Sequence, residues 1–135
     1  MKAIQDPIVS PSKKAKLTPI KTLRPGESMI DIKLTLIVSD AIRTVGEKSN
    51  VLTMIGSDGY DFINITCWDR NVERISRELG PSFLNKTFYF KTFGVRNIGA
   101  QYNYGSVEYE IRCQEGSTCW RGTVILGVPS YRLTH

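Results

Sequence analysis

Phe62-Ile63-Asn64-Ile65-Thr66-Cys67-Trp68 decides the fold. It alternates as a strand with one buried face does. Ile63, Ile65 and Cys67 form the apolar set, and successive strand side chains point to opposite sides. Asn64, Thr66 and Trp68 therefore project from the other face. A large aromatic there needs a cover, which is either a packed loop or helix or a ligand. Further along, Arg96 to Tyr104 supplies a second cluster of basic and aromatic side chains. Aromatics and cations on a β-surface suit single-stranded nucleic acid, whose bases stack and whose phosphates need neutralising.

Upstream, Ile30, Ile32, Leu34, Leu36 and Val38 alternate with Asp31, Lys33 and Thr35. This predicts a long first strand with one core face, launched by a turn at Arg24-Pro25-Gly26-Glu27. A polar loop holding Arg43, Glu47 and Lys48 follows. Val51 to Gly56 makes a second strand, and Ser57-Asp58-Gly59 turns the chain into the third, which ends at Trp68. Then the period changes. Val72, Ile75 and Leu79, with Asp69 as N-cap, predict a short helix ending at Gly80-Pro81. Thr87 to Phe93 is a fourth strand and Tyr104 to Arg112 a fifth.

Three strands, a helix and two strands, the first strand long, is the order of the five-stranded Greek-key barrel of the OB-fold. The class expected is all-β, with one short helix between strands three and four. Such barrels bind oligonucleotides across strands two and three, flanked by the loops joining strands one–two and four–five. Trp68 ends strand three, Arg43 lies in the first of those loops, and Arg96 and Tyr102 lie in or beside the second. Residues from distant parts of the chain thus converge on one surface.

The chain of 135 residues is long enough to bury a core without disulfides or metal. Its net charge of +5 is uneven. Up to Ser28, six basic residues (Lys2, Lys13, Lys14, Lys16, Lys21, Arg24) face Asp6 and Glu27, and the rest of the chain carries 12 basic against 11 acidic residues. Any binding groove must therefore be locally basic. Residues 1–22, rich in proline, serine and lysine, are expected to be a disordered basic linker. Residues 23–116 form the OB domain, and 117–135 a C-terminal extension of open character.

The sequence resembles the replication protein A large-subunit group, specifically its first central DNA-binding OB domain, from Leu17 to Cys113. Leu17-Thr18-Pro19, Ile42-Arg43-Thr44, Ile63 through Trp68, and Arg96 through Tyr102 to Glu108-Tyr109-Glu110-Ile111 carry the likeness. The resemblance implies that Trp68 and Tyr102 stack on bases, that Arg43 and Arg96 contact phosphates and bases, and that Glu110 makes a polar base contact; a carboxylate in an anionic groove would accept a base amino group or simply pair with Arg112 or Arg96. Tyr104, beside Tyr102, is a third platform or a loop prop. Asn64 stands where the group has arginine, and Val45 where it has an aromatic. Phe62-Ile63-Asn64 through Trp68 is similar instead to the meiosis-specific OB-domain paralogue of that subunit. The function implied is largely sequence-independent binding of single-stranded DNA in replication, repair or homologous recombination, meiotic recombination included. The nucleus would be the location, and other OB-fold subunits the partners. The alternative is a protein-interaction OB module that scaffolds such a complex.

No catalysis is expected. Asp58, Asp61 and Asp69 are separated by strand three, and no glycine-rich phosphate loop precedes a helix. Cys67, Cys113 and Cys119 lack paired spacing and His135 is the one histidine, so neither metal nor cofactor is expected. The sequons at Asn64 and Asn85 read as chance, since Met1 to Ser12 lacks a signal-peptide core. No apolar run reaches membrane-spanning length, so neither a membrane nor a small-molecule substrate is an expected partner.

Overall fold

The computed structural model describes residues 18–46 and 48–122. In chain order they form a 3-10 turn (Ile20–Thr22), strands β1 (Ile30–Ser39), β2 (Arg43–Val45), β3 (Ser49–Ser57) and β4 (Phe62–Trp68), and helix α1 (Arg70–Leu79). Then come β5 (Thr87–Asn97), a second 3-10 turn (Ala100–Tyr102), β6 (Tyr109–Arg112) and β7 (Thr118–Arg121). The basic run Lys13-Lys14-Ala15-Lys16, the rest of the expected tail before Thr18 and the extension after Gly122 lie outside the described residues.

The sheet order β1-β3-β4-β6-β5 closes because β5 also pairs with β1. β4 and β6 run parallel and the other barrel pairs antiparallel. This is the expected OB barrel, with α1 between its third and fourth strands. β2 is an added ribbon on β3, and β7 an added strand on β5. The β4 alternation holds on its core face, where Ile63, Ile65 and Cys67 are fully buried. Ile32, Leu34, Leu36, Phe90, Phe93, Val95 and Ile111 fill the same interior, and Val72, Ile75 and Leu79 of α1 plug one end.

β5 outruns its expected end at Phe93 because Thr92 resets its parity. Phe88 and Phe90 point inward, and so do Phe93 and Val95. That odd step requires one extra residue, and the β1–β5 register skips Thr92 between the pairs Asp31–Lys91 and Ile30–Phe93. Thr92 has φ 65°, a costly conformation for a β-branched residue. It is held there: its N–H donates to Asp31 Oδ1 at 3.2 Å, and its carbonyl accepts from Ser117 Oγ at 2.6 Å and Gln114 Nε2 at 3.1 Å. At this bulge β5 changes partner from β7 to β6, and Arg96 is turned outward.

Three sequence expectations need correction. Asp69 does not cap α1 with its side chain; its φ is 54° and its carboxylate accepts the Asn50 N–H at 3.1 Å, tying the β3 start to the end of β4. The fifth strand begins at Tyr109 rather than Tyr104, since the residues before it form a loop stitched to β4. The fold also exceeds the expected 23–116 at both ends. Ile20 is fully buried, its N–H donating to Asp58 Oδ2 at 2.8 Å and its carbonyl accepting the Tyr109 hydroxyl at 2.7 Å. β7 lies beyond residue 116 and holds Cys119 in the core.

All three cysteines are free and buried. The hydrogen bond to Cys113, then burial, pushes the Cys67 thiol up. The same bond, with Arg74 nearby, lowers Cys113. Burial, with the Glu78 carboxylate beside it, pushes Cys119 up to about 12. A protonated, buried thiol is a poor nucleophile. Alkylation of the folded protein at pH 8.5 should therefore leave Cys67 and Cys119 unmodified while the denatured chain reacts fully, and rapid native labelling of either would contradict their burial. Ile20→Ala should cost about 2–5 kcal/mol in denaturant unfolding, as for other buried isoleucines. A loss near zero would return residues 18–22 to the linker.

Candidate nucleic-acid interface

The outer face of β3, β4 and β6 carries three rows set by strand register. Arg43, Val51 and Trp68 are cross-strand partners across β2, β3 and β4. Thr53, Thr66 and Arg112 form the next row across β3, β4 and β6. Ile55, Asn64, Glu110 and Arg96 form the third, reaching β5. Two row steps of strand rise put Arg43 and Arg96 on the order of 13 Å apart along the strand direction. A groove of about 790 Å³ runs over these rows, walled by Trp68 and Arg43 on one side and by the loop carrying Tyr102 and Tyr104 on the other.

That second wall is fixed by Asn64. Its Nδ2 donates to the Tyr102 carbonyl at 3.0 Å, and its Oδ1 accepts the Tyr104 N–H at 3.0 Å. The residue is only 1% exposed. Further along, the Phe62 N–H donates to Ser106 Oγ at 2.9 Å and the Ser106 N–H to the Phe62 carbonyl at 2.9 Å. Asn103 braces the loop from within, accepting the Gly105 N–H and donating to the Val107 carbonyl. Gly105 sits so close to β4 that a Cβ would lie 2.5 Å from the Phe62 carbonyl oxygen. Tyr102 and Tyr104 consequently stand out from an ordered backbone, 62% and 43% exposed.

The groove floor is polar and charge-balanced. Glu110, buried, accepts Thr66 Oγ1 at 2.5 Å and Arg112 Nη2 at 3.0 Å. Each carboxylate oxygen thus already has a partner. Arg43 is exposed and, among the described residues, neither it nor Arg96 has an ion-pair partner. Both keep a full charge for an anion.

Of the seven residues singled out from sequence, Arg43, Asn64, Trp68, Tyr102, Tyr104 and Glu110 line this groove. Arg96 does not. It stands exposed on the rim and lines a neighbouring depression of about 480 Å³ against the Pro25–Ser28 turn. Asn64 also holds the tyrosine loop, and Glu110 also binds Thr66 and Arg112; a side-chain amide or carboxylate can make more than two hydrogen bonds. Arg112, weighed from sequence only as a partner for Glu110 and so paired here at 3.0 Å, also lines the groove, which sequence reading did not foresee. Its signal was available, because the inward Ile111 puts Glu110 and Arg112 on the same outward parity.

No protein-family model and no curated protein matches the chain. Solved structures do. A chain of a replication protein A heterotrimer bound to ssDNA superposes with a TM-score of 0.72 at 20% identity, over 86% of this chain and 27% of that one. The replication factor A related protein from Methanobacterium thermoautotrophicum gives 0.60 at 15% identity, covering 80% of this chain and 92% of that one. The OB domain of Ta0387 from Thermoplasma acidophilum gives 0.56 at 10% identity, over 88% and 93%. The chain therefore has the OB-fold, and it spans about a quarter of the replication protein A chain it matches.

Asn64→Ala should remove two part-buried side-chain-to-backbone hydrogen bonds, at a cost of about 1–3 kcal/mol. Amide exchange at Tyr104 should accelerate more than at core positions of β3. Unchanged protection at Tyr104 would show that the loop does not depend on Asn64.

Proposed function

We infer that this domain binds single-stranded nucleic acid in the β3–β4–β6 groove, and that its ligand is single-stranded DNA read with little regard to sequence. One observation carries the reading. Exposed tyrosines on an ordered loop face a half-buried tryptophan across an open polar groove, with Arg43 in its wall and Arg96 on its rim, neither in an ion pair among the described residues. Bases offer π-faces to such platforms, and phosphates offer charge to the arginines. A closed apolar pocket suited to a small molecule would lack the exposed platforms and the free cations.

The ligands named for structural neighbours agree with this, since the replication protein A heterotrimer was solved bound to ssDNA. The resemblance in sequence points the same way, towards replication, repair or recombination in the nucleus, with the strand-three Asn and Trp favouring the meiotic paralogue. The domain acts by binding alone, with no chemistry on the strand. One barrel covers roughly 4–16 nucleotides, and with Arg112 neutralised by Glu110 the groove holds few free cations. Tight binding would therefore come from further OB domains or subunits joined to this one, through effective concentration.

A scaffold reading has one observation in its favour. On the opposite face Lys33, Tyr89 and Trp120 form a second cross-strand row, with the Tyr89 and Trp120 rings stacked at 5.6 Å and Trp120 47% exposed. Salt separates the two readings, since only phosphate binding releases counterions.

Fluorescence anisotropy with oligo-dT tests the proposal. Tyr102→Ala should weaken binding by about 1–3 kcal/mol while leaving the melting temperature nearly unchanged. Arg43→Ala and Arg96→Ala should each lower the salt slope by up to about one. Binding to oligo-dT no tighter than to duplex at moderate salt would overturn the reading.

A further inference from the structure

One carboxylate in the groove is exposed and unengaged. Asp40 follows the end of β1, and its N–H donates to the Thr53 carbonyl at 2.9 Å, one step beyond the cross-strand pair Ser39–Met54. Cross-strand partners share a face of the sheet. Thr53 lines the groove, and so does Asp40. The middle row of the groove therefore runs Asp40, Thr53, Thr66, Arg112. Asp40 is exposed, and among the described residues its carboxylate accepts no hydrogen bond and joins no ion pair. Arg43 is its neighbour along the same edge of β3, opposite Val51, with Cα atoms on the order of 7 Å apart.

Such a carboxylate works against the binding of a polyanion. It sits beside the arginine offered to phosphate and repels that phosphate whatever the sequence. The repulsion is offset only by a hydrogen bond from the ligand, because a carboxylate can only accept. The phosphates and deoxyriboses within a DNA strand have no donor, so the partner is a base. Where cytosine carries an exocyclic amino group, uracil and thymine carry a carbonyl oxygen, and acidic side chains accept from the amino group. Asp40 and Trp68 lie on opposite sides of β3 and two residues out of step. Their Cα atoms are on the order of 12 Å apart, a gap that one pyrimidine spans together with the two side chains.

We propose that Asp40 is a specificity-determining residue, whose carboxylate accepts a hydrogen bond from the amino group of a cytosine stacked on Trp68 and disfavours the carbonyl of uracil or thymine there. The proposal deepens the function above and rests on it. A few-fold preference at one nucleotide leaves the groove open to every sequence, and the phosphates remain with Arg43 and Arg96.

The test is fluorescence anisotropy with oligo-dC and oligo-dU of equal length at about pH 8, where cytosine is unprotonated. For the wild-type chain, oligo-dC should bind about three- to tenfold tighter, the worth of one hydrogen bond partly open to water. Asp40→Ala should bring that ratio to about one, with affinity for oligo-dU rising. Asp40→Asn, whose amide can donate to a carbonyl, should bring it to one or below. Both variants should melt with the wild type, since the side chain is exposed. Equal wild-type affinity for the two oligomers would overturn the role of Asp40 and leave single-strand binding standing. A preference unchanged in Asp40→Ala would overturn it too, by assigning the discrimination to another group. Failure of the wild-type chain to bind either oligomer at low salt would overturn both this proposal and the function it rests on.

Discussion

The groove depends on one buried amide. Asn64 projects from the outer face of a strand whose other face is core, and both ends of its side chain are spent on the backbone of a single loop. Burying an amide is costly unless every polar atom is paired. The carbonyl of Tyr102 and the N–H of Tyr104 are a complementary pair of partners, so loop and strand satisfy one another. Without that exchange the loop would be held to β4 at Ser106 but not beside the tyrosines themselves, and ordering them would draw more on binding energy at each encounter. With it, one wall of the groove stands before any ligand arrives.

Charge is distributed to match. The floor is polar but neutral, since Glu110 occupies both Thr66 and Arg112. The free arginines are at the margins. A strand lying in the groove therefore meets stacking and hydrogen-bonding groups along its bases and cations only where its phosphates cross the rim. Such a division suits modest, sequence-tolerant binding more than tight capture, because one neutral floor cannot supply the counterion release that a continuous basic channel would. The bulge at Thr92 serves the same end from a distance: by resetting β5 it keeps Phe93 and Val95 inward and Arg96 outward.

Much of this was legible in the chain. Alternation in Ile30–Leu36 and Ile63–Trp68 is a local signal, and it placed the barrel strands and the outward tryptophan. The helix showed in the spacing of Val72, Ile75 and Leu79. What the sequence hid depends on partners far along the chain. The hold of Asn64 on its loop could not be read, because its partners lie 38 and 40 residues away. Ile20 looked like linker because proline and lysine surround it, yet Asp58 and Tyr109 hold it in place. The odd spacing between Phe90 and Phe93 went unread as the mark of a bulge, which only the β1–β5 register shows.

The two tryptophans of this chain sit on opposite faces, Trp68 in the groove and Trp120 on the β7 surface, so one spectrum can tell which face meets the strand. In a titration of nitrogen-15-labelled protein with oligo-dT, each indole gives one N–H signal. Binding in the groove requires the Trp68 signal to shift progressively while the Trp120 signal stays in place. Movement of Trp120 with Trp68 unmoved would contradict the groove as the site of binding.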